Sequence, residues 1–248
     1  MARSEIKKIS KTLLKNNFGS YLLVSLIYSL IVFIGSFLPF IGGFITLLLI
    51  PILNYAIINI TMVARTNGKF EGLTKTLDGF NSDYFVINIG MQLIKSIIIF
   101  LVTIIIGAML FASLFQGNLF VPIILAIATS IGIATLDYFI FLIPYESYKE
   151  AKLGNFDQYI RNSFKLMKGH KLELFVQHLS FFGWSMLVGI IGSYTIQLNF
   201  VLGAIVMGIL SLILALYISV ADAVFAQNLL GFDNREKAIE VEVAANEI

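Results

Sequence analysis

The chain contains no cysteine. Disulfides, thiolate nucleophiles and cysteine-ligated metals are thereby excluded, while the redox compartment stays open. Charge is also scarce: 13% of the 248 residues are Asp, Glu, Lys or Arg, against roughly one-quarter in a soluble domain. The 17 basic residues nearly balance the 15 acidic ones, for a net charge of +2. That balance gives no reason to expect a nucleic-acid partner, and attention shifts to where the charges sit. There are two histidines and four prolines. The sequence has no His-Glu-x-x-His, no Gly-rich phosphate loop and no Gly-x-Ser-x-Gly, and the short basic connections leave no room for a soluble catalytic domain. The chain is expected not to be an enzyme and to need no cofactor.

What fills the space is apolar. Hydrophobic residues make up 58% and the mean hydropathy is +0.90, so the sequence predicts an integral membrane protein. A helix needs about 20 apolar residues to cross the hydrocarbon core. Six stretches qualify, at 18–38, 44–64, 85 or 96–115, 119–143, 172–194 and 200–226. The first is too long for a cleaved signal peptide and lacks a small-x-small site.

Basic residues set the orientation, because short cytoplasmic connections retain Lys and Arg. The amino-terminal segment carries Arg3, Lys7, Lys8, Lys11 and Lys15. The second connection carries Arg65, Lys69 and Lys75, and the fourth Lys149, Lys152, Arg161, Lys165, Lys168 and Lys171. The opposite connections, 39–43, 116–118 and 197–199, have no Lys or Arg. Both termini are therefore expected in the cytoplasm, with the six helices arranged as three hairpins.

A segment with helical apolar spacing precedes each hairpin: Ile6, Ile9, Leu13 and Phe18; Phe70, Leu73, Leu77, Phe80 and Tyr84; Phe156, Ile160, Phe164 and Met167. Such segments are expected to lie in the cytoplasmic interface, apolar face down. The fold class expected is thus an all-α, polytopic membrane protein, with each hairpin led by an interfacial amphipathic helix. Residues 1–232 form one transmembrane domain in this reading, with a threefold repeat near 1–64, 65–143 and 144–232. Residues 233–248 are a polar cytoplasmic tail. Ala128 with Gly132, and Ala204 with Gly208, are small residues four apart and are expected to mark close helix contacts.

One block stands out. Residues 165–187 hold both histidines and the sole tryptophan, and within them Leu166, Met167, Lys168, Gly169, His170 and Lys171 are followed by Leu174-Phe175 and by Leu179-Ser180-Phe181-Phe182-Gly183-Trp184. This block, in an Ile-rich six-span chain with a start of the type Leu14-Lys15-Asn16-Asn17-Phe18, resembles the bacterial integral membrane family catalogued as domain of unknown function 975. Where members of that family more often have a proline-and-tyrosine outer turn, this chain reads Ser193-Tyr194-Thr195-Ile196. The resemblance implies a fold and a bacterial plasma-membrane address, and no chemistry.

The block has a physical reading of its own. Gly169 permits the backbone conformation that ends a helix, Lys168 and Lys171 can reach lipid phosphates, and His170 sits at headgroup depth. Ser180 and Gly183 allow close helix approach, with Trp184 as bulk on a neighbouring face. The rival reading is a metal or proton site of His170, Glu173 and His178, which lacks the tight His-x-x-x-His spacing of metal helices.

Charges within spans are stronger pointers, since each costs about 2.5–3.5 kcal/mol even on the lenient insertion scale. Lys95, Asp137 and Asp222 are the candidates. Lys95 with Asp137, and Asp222 with His178 or Gln177, would form an intramembrane polar network, extended by Asn54, Asn59, Gln92, Gln227 and Asn228. Two aspartates on separate spans also invite an aspartyl intramembrane protease, but glycine-rich surroundings are missing at both.

Two functions stay open. One is a non-enzymatic protein binding a partner protein, a peptide or lipid, its basic segments suited to an anionic inner leaflet. The other is a transporter or pore for ions or small amphiphiles along Lys95, Asp137 and Asp222. Of the prolines, Pro51 alone interrupts a span centrally, which favours the first. The chain's oligomeric state is not legible. The topology is tested by single cysteines in this thiol-free background. Those at Ser10, Asn67, Lys152 and Asn234 should react with an impermeant thiol reagent only after the cells are opened, and those at Gly42, Gly117 and Asn199 from outside. One exchanged assignment refutes the three-hairpin arrangement.

Overall fold

The structure is a computed structural model, and it describes residues 3–37, 41–67, 70, 82–116, 120–149 and 152–231. Among these residues the regular structure is entirely helical. In chain order the helices are α1 (Arg3–Asn16), α2 (Phe18–Ser36), α3 (Ile41–Asn67), α4 (Ser82–Gln116), α5 (Phe120–Ile140), α6 (Ile143–Lys149), α7 (Phe156–Met167), α8 (Lys171–Leu198) and α9 (Phe200–Leu229). Five apolar stretches are long enough to cross a membrane, and a sixth is added if α1 and α2, bent by 82° at Asn17, count as one span. The expected second leading segment falls largely on 71–81, and the polar tail on 232–248, both outside the described residues.

The chain divides into two compact units, one of residues 1–81 with 172–248 and one of residues 82–171. In the first, the inner half of α9 is the centre. Val220, Ala221, Ala223, Val224, Phe225, Ala226 and Gln227 are all buried, enclosed by α1, α2 and α3. Three of the seven are alanines, and in lipid, where apolar surfaces gain little by meeting, small side chains that let backbones approach are what hold helices together. Against this core α1 turns Ile6, Ser10 and Leu13, one helical stripe, inward. Lys8, Lys11 and Lys15 lie on its exposed side. The stripe expected to face lipid is thus, in α1, the one that seats the helix on α9.

The bend at Asn17 is built from that residue's own groups. Its backbone carbonyl accepts from Ser20 and Tyr21, which starts α2. Its amide Nδ2 donates to the Leu13 carbonyl at the end of α1, and its Oδ1 accepts from the Phe70 backbone N–H at 2.8 Å. The Leu13 carbonyl also accepts the Asn17 backbone N–H at 3.0 Å, so one residue closes the end of α1 and also provides the acceptor for the Phe70 N–H. Beyond the bend, α2 and α3 are joined by Tyr21 and Thr61, whose oxygens are 2.9 Å apart and fully buried. The Thr61 hydroxyl proton goes to the Ile57 carbonyl, so Tyr21 donates.

In the second unit, α4 runs unbroken for 35 residues, about 52 Å at 1.5 Å per residue and well beyond a hydrocarbon core of about 30 Å. Of the two starts expected for the third span, the earlier is the helix and the later lies within it. Its first third carries Tyr84, Ile87, Asn88 and Met91 inward, and Ile87, Met91, Ile143 and Tyr159 form the core of the unit, flanked by Ile140, Phe156 and Ile160. The fourth span ends earlier than the hydropathy suggests. Pro144 lacks the N–H that residue 140 would receive and its ring crowds that carbonyl, so α5 stops at Ile140 and α6 restarts at Ile143.

Small residues make close contacts at other places than expected. Among the described residues nothing stands within 4 Å of a Cβ added at Gly132 or Gly208, and Ala128 and Ala204 are exposed. The close approach in the last hairpin is one position earlier, at Gly203. A Cβ there would overlap the Ile196 backbone nitrogen and lie 2.6 Å from the Thr195 carbonyl carbon, while at Gly192 it would meet Met207 Cγ at 2.8 Å. Backbone cannot yield as the end of a methionine can. Gly203→Ala is therefore predicted to cost about 1–3 kcal/mol through overpacking, and Gly208→Ala to hold or raise stability, since alanine is the better helix former. Thermal melts in detergent check this; equal melting points for the two variants would refute the assignment.

Candidate functional site

Lys95, Asp137, His178 and Asp222, the core of the polar network expected from the sequence, form two clusters, one within each unit. In the second unit Lys95 on α4 and Asp137 on α5 meet at 2.8 Å, with side chains 30% and 37% exposed. In the first unit Asp222 on α9 receives two partners from α8: Gln177 Nε2 donates to its Oδ1 at 3.1 Å, and His178 Nε2 lies 2.9 Å from the same oxygen. Gln177 and His178 are consecutive, so they reach one carboxylate from two sides of α8. Asp222 is thus held by donors, and among the described residues no three His, Cys, Asp or Glu side chains converge as a metal site requires. His178, the residue that would complete a site with His170 and Glu173, turns to Asp222 instead.

A third polar contact was not expected in this form. Arg65, read as a loop charge, stands in the last turn of α3 and reaches α9, donating from Nη1 to Gln227 Oε1 at 2.9 Å and from Nη2 to Asn228 Oδ1 at 3.5 Å. Gln227 and Asn228 were placed among the network residues, but nothing in the spacing from 65 to 227 ties them to this arginine. The signal that was available is modest: a single arginine and an amide pair each ending an apolar helix.

The residues of the family-like block occupy a helix junction. At the end of α7, Lys168 donates its N–H to the Lys165 carbonyl, Gly169 takes φ +98°, and the His170 N–H returns to the Met167 carbonyl. Only a residue without a Cβ adopts that left-handed φ without strain, so Gly169 turns the chain from α7 into α8. Lys171, expected to reach lipid phosphates, holds its Nζ 3.0 Å from the centre of the Phe139 ring, and Phe139 stacks on Phe164 at 4.3 Å. Further along α8, Ser180 donates to the Gln177 carbonyl. Among the described residues nothing stands within 4 Å of a Cβ added at Gly183, so the close helix approach expected there is not made, and Trp184, expected as bulk on a neighbouring face, is 60% exposed.

The same unit contains a device that the sequence did not disclose. Ser163 on α7 spans the break between α5 and α6. Its hydroxyl donates to the Phe139 carbonyl and accepts from the Leu142 N–H at 3.3 Å, replacing bonds that a continuous helix would have made. Asn162, next to it, donates to Glu146 Oε1 on α6 at 2.6 Å. On the other side Asn88 Nδ2 donates to the Ser147 hydroxyl at 3.0 Å. Together these bonds fasten α7 and α4 to the broken end of the span.

The first unit also has an open cavity of about 600 Å³ lined by Arg3, Ser4 and Lys7 of α1 and Ser180 of α8. Beside it, and sharing Arg3, is a cavity of about 310 Å³ lined by Ile6, Leu172, Glu173, Val176 and Phe225. The chain thus combines long apolar helices, internally paired polar groups and a basic first helix. Comparison with known proteins returns no matching curated protein and no matching solved structure. The family described as Protein of unknown function (DUF975) matches residues 1–232, which take in every helix described above, and the chain belongs to that family.

Proposed function

We propose that this is a multi-pass protein of the bacterial plasma membrane, with six spans in three hairpins and both termini cytoplasmic, that binds a partner protein, peptide or lipid at its inner face and catalyses no reaction. The observation that carries the reading is the contrast between the two kinds of charge. Those within helices are met by other side chains: Lys95 by Asp137, Asp222 by Gln177 and His178, Arg65 by Gln227 and Asn228. Those of α1 at Lys8, Lys11 and Lys15 are exposed on the side away from its buried stripe. Near an anionic leaflet each such cation contributes about 1 kcal/mol of attraction.

Depth supports the same reading. Lys95, Asp137, His178 and Asp222 each lie roughly 20 residues from the outer end of their own helix, which is the length that crosses the core. They stand at its inner boundary, where a paired charge costs less than at the centre. Transport along these residues is the competing function, and its support is that intramembrane charges most often mark pathways.

The two readings separate on neutral substitutions. Asp137→Asn and Asp222→Asn keep size and most hydrogen bonds, so a structural role predicts membrane abundance and phenotype that survive or fail together. The measurement is complementation of a gene deletion, scored for growth under ionic, peptide and lipid stress, with abundance in the membrane measured alongside. Folded, abundant and inactive variants would overturn the binding role in favour of a carrier.

A further inference from the structure

The groove between α1 and the inner part of α8 has cations on one wall and an open apolar path leading away from it. Arg3 and Lys7, one helical turn apart on α1, line the 600 Å³ cavity together with the hydroxyls of Ser4 and Ser180. Lys7 is held in place, with its Nζ 4.8 Å from the centre of the Phe181 ring and its backbone carbonyl accepting from Tyr217 at 3.3 Å. A cation over a ring face still has N–H donors on its far side to offer an anion. Phe181 itself is buried and set edge-on to Tyr217 at 5.1 Å, so this wall is packed. Ser180 spends its proton on the Gln177 carbonyl.

From Ser180 toward the outer end of α8, positions three, four and seven residues on share its face. They are Gly183, with nothing among the described residues within 4 Å of an added Cβ, Trp184, 60% exposed, and Leu187, also exposed. Gly183 therefore makes a notch in the helix surface beside a large flat side chain. Ser180 lies roughly 27 Å along α8 from Leu198, which puts the cavity at the inner edge of a hydrocarbon core of about 30 Å and the notch inside it.

We infer that this groove binds one anionic glycerophospholipid, its phosphate between Arg3 and Lys7 with the Ser4 hydroxyl as a further donor, and an acyl chain in the Gly183 notch against Trp184. Three features select this ligand over a soluble anion or a peptide: two cations together in one cavity, a distance along α8 that matches the headgroup boundary in the proposed orientation, and exposed apolar residues on the helix face that Ser180 shares. The assignment also gives Ser180, Gly183 and Trp184 a common purpose. It rests on the orientation proposed above, which the cysteine-labelling pattern tests separately.

The test uses the full-length protein in nanodiscs made from equal parts phosphatidylcholine and phosphatidylglycerol. The lipid kept after release from the disc is measured by native mass spectrometry. The wild type should retain one phosphatidylglycerol in preference to phosphatidylcholine. Arg3→Gln with Lys7→Gln should lower that retention by about tenfold or more, whereas Lys11→Gln with Lys15→Gln, equal in charge and outside the groove, should change it by less than about threefold. Gly183→Leu, which leaves every cation in place and fills the notch, should lower retention as well, and it decides the matter if the Arg3 and Lys7 variant does not fold. Equal losses from the two charge pairs would overturn the site in favour of diffuse attraction. Release of the lipid by inorganic phosphate alone would reveal a free-anion site, and full retention by Gly183→Leu would remove the acyl chain; either result overturns the proposal. Failure here with the expected labelling pattern would sink the lipid site while leaving the orientation intact.

Discussion

The enclosure of α9 between Val220 and Gln227 is the contact on which the first unit depends. A helix surrounded by other helices in a hydrocarbon solvent gains little from burying apolar surface, so cohesion must come from close packing and from polar groups that find partners. This segment supplies both. Its alanines let neighbouring backbones approach, and its polar residues reach out on different sides: Asp222 to α8, Gln227 and Asn228 to the arginine of α3. The inward stripe of α1 then has a defined surface to sit on. If α9 shifted along its axis, the carboxylate, the amide pair and the seat of the first helix would be lost together.

The bend after α1 and the break between α5 and α6 follow one rule, that backbone groups at an interrupted helix must be met nearby. At the bend between α1 and α2, Asn17 does this with its own backbone N–H and side chain. At Pro144 the rescue comes from a distance, through Ser163 of α7. The difference has a consequence for what each helix does. α1 is attached through apolar packing and leaves Lys8, Lys11 and Lys15 outward, whereas α7 adds to its apolar packing hydrogen bonds to the break that it repairs. Helices that look alike by apolar spacing thus serve as a basic outer surface in one case and as a structural clamp in the other.

Charge in the described helices is used in two ways. Pairing lowers the cost of each ionised group near the core boundary, and the paired groups knit helices together. On α1, by contrast, Lys8, Lys11 and Lys15 are exposed. Arg3 and Lys7 fall between the two classes, because they border an open cavity that α1 shares with Ser180 of α8. That intermediate position is what makes them suited to an amphipathic ligand.

Hydropathy alone determined that this chain is helical and membrane-spanning in character, because a solvent without hydrogen-bonding capacity leaves a 20-residue apolar segment little choice but a helix. The turn at Gly169 was legible too, since a left-handed φ selects glycine by sterics within a few residues of sequence. Contacts between distant residues were not. Small residues four apart at Gly132 and Gly208 carry the spacing of a close contact, yet the approach is made at Gly203, because the rotation of a uniformly apolar helix leaves almost no trace in its composition. Arg65 reads as a loop cation and Ser163 as an unremarkable serine until folding brings α9 to one and a broken span to the other. Partner choice of that kind is decided by how helices rotate and cross, and so by the tertiary structure.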